Sequence, residues 1–222
     1  MEGNGVVKTN KTKYLIGGLI IIVLLIGSFA YYHNVKNKKA MEQKATYELE
    51  LKGTVLEMQI NSVEAEDMIC IYSQFWSSAI KKRLFVGDMN STLDTTTSEI
   101  KQYAVNANYY APHRISDTLS TIDDFDLAIS IANQHFTKRG RIEKLENANT
   151  KIAEKMRNLN NPPEGYEKAY EIAFEIYSLY EEYTSLAISP SGSLVSFNEK
   201  ANNLSSNIIK KIKEFEVIMP LP

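Results

Sequence analysis

Cysteine is almost missing from this chain. Cys70 is the only one among 222 residues, so no disulfide forms within the chain and paired-cysteine zinc motifs are excluded. Set between Ile69 and Ile71 in a periodic apolar stretch, Cys70 reads as a small buried hydrophobe. Histidine is scarce too: His33, His113 and His135. None follows a glutamate at Glu-x-x-His spacing, which argues against a ferritin-like di-metal centre. No His-Glu-x-x-His, Gly-x-Ser-x-Gly or glycine-rich phosphate loop occurs. A pairing of His113 with His135 near Asp123, Asp124 or Asp126 matches no helix-based ligand spacing. No metal or other cofactor is therefore expected, and the chain reads as non-enzymatic rather than catalytic.

Charge of one sign is also lacking. The 25 basic and 27 acidic residues are interspersed and leave a net charge of -2. Nucleic acid is not an expected partner, because backbone binding calls for a basic face. Strand-like alternation is missing as well, which makes an α/β enzyme fold a poor fit.

The sequence does contain one long apolar run. Tyr14 to Tyr32, YLIGGLIIIVLLIGSFAYY, holds nineteen residues without a charge. As a helix it would span roughly 28 Å, close to the hydrocarbon thickness of a bilayer. The run predicts a transmembrane signal anchor at 14–32, with the lipid bilayer as partner. Residues 1–13 would then be a short basic cytoplasmic tail, 33–46 a juxtamembrane stalk, and 47–219 an extracytoplasmic helical bundle. The expected location is the cell membrane, single-pass. Lysines flank the run on both sides, so the orientation rests on the short basic tail and the slightly acidic remainder. The alternative is a signal peptide cleaved after Ala30 and a secreted product.

Beyond the run the pattern is helical. Leu51, Val55, Met58, Ser62, Ala65, Ile69, Tyr72, Trp76 and Ala79 alternate at spacings of four and three, the stripe of a long amphipathic helix. Gly87-Asp88 is its expected stop. A short helix is expected around Ile100, Tyr103, Ala104 and Ala107, and another from near Ser116 through Phe136. Ile142, Leu145, Asn149, Ile152, Met156 and Leu159 mark the next. Pro162-Pro163 opens a tyrosine-rich helix, with Asn161 as expected cap and Glu164 three residues on. After the turn at Ser189–Ser193, Leu194, Phe197, Ala201, Leu204, Ile208, Ile212, Phe215 and Met219 form the last stripe. The expected fold class is all-α: an antiparallel bundle of about four or five helices behind one transmembrane helix.

Two features stand out as candidate partner or ligand surface. Tyr166, Tyr170, Tyr177 and Tyr180 share one stripe of the tyrosine-rich helix and can either line an aromatic groove or serve as bulky core. Ser191, Gly192 and Ser193 offer hydroxyls and backbone N–H groups just before a helix start, where an anion can sit or the helix can simply be capped.

The stretch from Leu159 to Phe197 resembles a pattern in uncharacterised exported proteins of Gram-positive bacteria, through Pro162-Pro163, Tyr170, Tyr177, Tyr180, Ala187 and Pro190-Ser191-Gly192-Ser193. The resemblance covers under a third of the chain and implies a membrane or lipoprotein signal followed by a helical ectodomain, with no activity attached. The functional expectation is an anchored envelope protein whose bundle binds a protein partner or small ligand, with homo-oligomerisation open. The alternatives are a sensory or accessory ectodomain of an envelope complex, and an enzyme with a dispersed site.

Overall fold

The apolar stripes that begin at Leu51 and at Leu194 fold into helices, and left-handed residues, glycine and non-glycine alike, mark breaks between helices. The computed structural model describes residues 10–110 and 112–219, with side chains from residue 36 onward except residue 37. Seven α-helices follow one another: α1 (Asn10–Ile80), α2 (Val86–Leu93), α3 (Thr97–Asn106), α4 (Phe125–Lys138), α5 (Arg141–Asn158), α6 (Glu167–Ile188) and α7 (Leu194–Ile218). A single 3-10 turn spans Pro112–Arg114. No strand is present among the described residues. The chain divides into two units, Met1–Glu48 and Leu49–Pro222. In the first, the described residues belong to α1, where the Thr46 hydroxyl donates to the Glu42 carbonyl at 2.9 Å.

The transmembrane expectation is corrected at this point. Among the described residues no helix is long and apolar enough to cross a membrane. The run 14–32, on which the expectation fell, lies in the part of α1 whose side chains are outside the described residues, and residues 1–9 of the expected tail are outside the described residues altogether. Where its side chains are described, α1 carries Lys36, Lys38, Lys39, Glu42, Lys44, Glu48, Glu50 and Lys52 at short intervals. Charges cost about 2.5–3.5 kcal/mol each at the centre of a membrane helix. The single-pass anchored topology, the cell-membrane location and the bilayer partner are corrected on that finding, and the anchored sensory or accessory ectodomain with them. The helix count is corrected as well, from four or five behind an anchor to seven.

In the second unit all nine stripe positions of α1, from Leu51 to Ala79, are buried. On α7 the stripe from Phe197 to Met219 is buried likewise. Helices α6 and α7 pack extensively. Phe197 of α7 meets Tyr72 of α1 edge-on at 6.5 Å and Trp76 at 5.8 Å.

Helix α1 stops at Ile80, well before Gly87. Lys82 takes a left-handed conformation (φ 55°). Its N–H donates to the Ala79 carbonyl and that of Arg83 to the Ser78 carbonyl, both at 2.9 Å, the two bonds of a Schellman closure. The same closure ends α3: Asn108 (φ 56°) donates to Val105 and Tyr109 to Ala104. Gly87 lies inside α2, where a Cβ would sit 3.1 Å from the Thr118 carbonyl oxygen. That close approach permits a short backbone ladder, Val86 to Ser120, Gly87 to Thr118 and Ile122 to Leu84. The ladder replaces the helix expected from Ser116. Helix α4 instead begins at Phe125, with the Asp124 carboxylate accepting from the Leu127 N–H at 3.0 Å.

Between α4 and α5, left-handed Gly140 (φ 70°) makes a tight corner. Arg141 clamps it to α1: its guanidinium lies 4.9 Å from the Phe136 ring centroid and pairs with Glu64 and, at 2.8 Å, with Asp67. Burial raises the Glu64 carboxyl, but bonds from Lys144 and Arg141 outweigh it and hold the group below its usual 4.5. Helix α6 starts at Glu167 rather than after Asn161, because Pro163 to Tyr166 forms a turn through left-handed Gly165.

Candidate functional site

Helix α6 distributes the expected tyrosine surface over several environments. Tyr180 points inward and is fully buried. Tyr166, Tyr170 and Tyr177 are half-buried. Tyr170 and Tyr177 flank exposed Phe174 in a row with centroid separations of 6.3 and 5.9 Å. The Tyr177 hydroxyl donates to Glu181. Ser191, Gly192 and Ser193 follow the far end of α6, about 30 Å from its start by helix rise. They are exposed, and Ser193 is the N-cap of α7 in a capping box with Ser196. The two candidate patches thus occupy opposite ends of one helix and do not form a common site.

His113 is exposed in the 3-10 turn, whereas His135 is buried on α4. Among the described residues no group of three His, Cys, Asp or Glu is placed to hold a metal ion. Burial, followed by the charges of Arg139 and Arg141, keeps the His135 imidazole below its usual 6.5. Cys70 is exposed, contrary to the expectation of burial. Met68, Ile69 and Tyr72 take the inward phase of α1 and turn Cys70 outward. Partial burial and the carboxylates of Glu66 and Asp67 raise its thiol, which disfavours the thiolate a nucleophile needs.

The feature with the most defined chemistry lies between α1 and α7, over α6. The two outer helices run antiparallel: the Ser73 hydroxyl donates to Asn198 at 2.8 Å, and farther along Gln59 and Ser62 share a recess with Ile208 and Ile212. The recess holds about 250 Å³. Its walls are Val63 of α1 and Ile208, Ile209 and Ile212 of α7. Val63 and Ile209 are 63% and 51% exposed, so the mouth as well as the interior is aliphatic. Tyr183 of α6, 3% exposed, forms part of the lining with Ser205 of α7. Burial, with the Glu66 charge adding to it, pushes the Tyr183 phenol up to about 12, against the opposing effect of a bond from Ser205. The Ser62 hydroxyl donates to the Met58 carbonyl at 2.8 Å, so its proton is engaged within the helix.

Glu66, Lys213 and Glu216 complete the lining. Among the described residues none of the three forms an ion pair. Other depressions combine charges without an ion pair among the described residues, such as Lys210 and Lys151, with paired ones. One beside Phe174 contains Lys211, which Glu175 and Glu214 hold. Another, between α1 and α5, contains Lys144 and Lys155, which pair with Glu64 and Glu57.

Sequence periodicity places Ser62, Ile208 and Ile212 on core stripes. Val63 and Ile209 lie next to those stripes, and the signal that would have marked them is the width of the apolar arc where it exceeds what one neighbour can cover.

No family model, curated protein or solved structure matches this chain. The resemblance to exported Gram-positive proteins over residues 159–197 is accordingly corrected. Its elements have local structural roles here: Pro163 opens the turn before α6, Tyr180 and Ala187 are core, and Ser193 caps α7.

Proposed function

We propose that this protein is a binding module rather than an enzyme, and that the recess between α1, α6 and α7 takes the aliphatic part of a small ligand. The observation that carries the reading is the recess itself: aliphatic walls that stay exposed at the mouth, a buried tyrosine in the lining, and charges with no ion pair among the described residues. Such a combination of apolar walls and few polar groups is the usual make-up of a ligand site. The reactive groups nearby support binding over catalysis. Tyr183 is held neutral, and the Cys70 thiol is raised rather than activated.

A guest of this size gains modest affinity. Burying about five methylenes at about 0.8 kcal/mol each gives about 4 kcal/mol, a Kd of about 1 mM. The test is a titration with 1-octanol, followed through the isoleucine and valine methyl resonances. Shifts centred on Val63, Ile208, Ile209 and Ile212 are expected, and Ile209→Asp should abolish them while helical circular dichroism is retained. Shifts centred instead on the α6 aromatic row, or none up to octanol's solubility limit, would overturn the reading.

A further inference from the structure

We infer that the recess selects an aliphatic ligand ending in a cation, of which a primary ammonium is the simplest, with the charged end seated at Glu66. This rests on the binding reading above. Two carboxylates and one ammonium, Glu66, Glu216 and Lys213, belong to the recess, so the local balance is negative. Lys213 has Glu216 three residues farther along the same helix face, and that carboxylate offsets its field. Glu66 has no comparable relief. The cations that pair with this stretch of α1 go to its other acids, Arg141 to Glu64 and Asp67 and Lys144 to Glu64. Among the described residues Glu66 forms no ion pair, and it has no lysine or arginine three or four residues away on α1.

The surroundings of Glu66 suit an ammonium group. Tyr183 and Ser205 lie with Glu66 in the same lining, and both side chains carry hydroxyls. An ammonium carries three donors and no acceptor. A carboxylate with two neutral hydroxyl oxygens offers it three acceptors, whereas a carboxylate ligand would meet Glu66 across the same space. Gln59 and Glu66 both line the recess and stand two helical turns apart on α1, about 10 Å. An octyl chain extending from Glu66 toward Ile212 and Gln59 matches that length.

The experiment compares octylammonium, 1-octanol and octanoate on the full chain at pH 7, below their aggregation concentrations, by methyl-resonance titration. Octylammonium should bind about threefold to fivefold more tightly than octanol, the range expected for a partly exposed ion pair. Octanoate should bind more weakly than octanol. Glu66→Gln, a substitution at an exposed position, should bring octylammonium down to the octanol value measured in the same variant. Added salt should narrow the ammonium preference in the parent protein and have no such effect in the variant. Equal binding of amine and alcohol, or an amine preference that survives Glu66→Gln, overturns the charge selection and leaves the aliphatic recess standing. Tighter octanoate binding overturns it too, and assigns the charged end to Lys213. Absence of octanol binding removes the recess reading, and this inference with it.

Discussion

The long helices and the crossover from Lys81 to Asp124 are built on different principles. In α1 from Leu51, in α6 and in α7, stability comes from repetition: an apolar residue every third or fourth position, buried in unbroken succession. The crossover has two short helices, left-handed residues at Lys82, Asp94 and Asn108, and a three-bond backbone ladder. It also holds buried polar atoms, Asn90 Oδ1 and Thr95 Oγ1, with no hydrogen-bond partner among the described residues. Repetition spreads stability over many equivalent contacts, whereas the crossover relies on a few specific ones.

The largest effect should come from breaking the repetitive side at its aromatic junction. Phe197 is buried between Tyr72 and Trp76, and Phe197→Ala should cost about 3–5 kcal/mol. Chemical denaturation with far-UV circular dichroism would measure it. A cost under about 1 kcal/mol would mean that the α1–α7 seam closes over the cavity, and that the contrast with the crossover is overstated. Gly87→Val tests the other side. Its Cβ would press on the Thr118 carbonyl oxygen at 3.1 Å and on Thr118 Cβ at 3.3 Å. Overpacking of this kind costs about 1–3 kcal/mol. Hydrogen exchange should show the loss concentrated in residues 84–122, with α6 and α7 still protected. Uniform loss across the chain would show that the crossover and the long helices unfold as one unit.

The same contrast explains what was legible beforehand. Periodicity predicts the α1 stripe and the α7 face because burial on one side of a helix imposes a spacing on residue type. Leu194 as the start of α7 was legible too, since Ser193 has the right chemistry for a cap. The end of α1 was not, because a lysine rather than a glycine takes the left-handed position. Ser116–Ile122 read as a helix start because Leu119 and Ile122 sit three apart. Backbone pairing with Leu84–Gly87 decides otherwise and leaves Leu119 79% exposed. The recess was the least legible feature. Val63, Glu66 and Ile209 come together only when α1 and α7 meet antiparallel, and no local spacing encodes that register. The apolar run at 14–32 pointed toward a membrane anchor that the described residues do not support.

A smaller effect should appear with pH where α4 meets the crossover. His135 is buried against Tyr103, with ring centroids 6.3 Å apart, and faces Glu99 and Lys138 as well as Arg139 and Arg141. Its folded pKa lies below the unfolded 6.5, so just below that value the unfolded chain binds more protons than the folded one. Stability should be at its full value above about pH 6.5 and decline as pH falls through the folded pKa. The window from pH 7 to 5 isolates this group from Glu64, whose contribution is lost only below its usual 4.5. Thermal midpoints in that window should fall for the parent and stay nearly level for His135→Gln. An equal slope in both would assign the acid sensitivity to another group.

The smallest effect is also the most diagnostic, because its sign is what matters. Tyr72 and Tyr180 are both fully buried on the repetitive side, yet their hydroxyls differ. Asn133 Nδ2 donates to the Tyr72 hydroxyl at 3.0 Å, while the Tyr180 hydroxyl has no partner. Removing a hydrogen-bonded hydroxyl costs about 1 kcal/mol, and removing an unpartnered one relieves a desolvation penalty instead. Tyr72→Phe should therefore destabilise by about 1 kcal/mol, and Tyr180→Phe should be neutral or stabilising by up to about 1 kcal/mol. If Tyr180→Phe instead costs as much as Tyr72→Phe, a buried water or a shifted side chain satisfies that hydroxyl. The repetitive core would then depend on a specific polar contact of the kind assigned above to the crossover, and the distinction between the two regions would be one of degree.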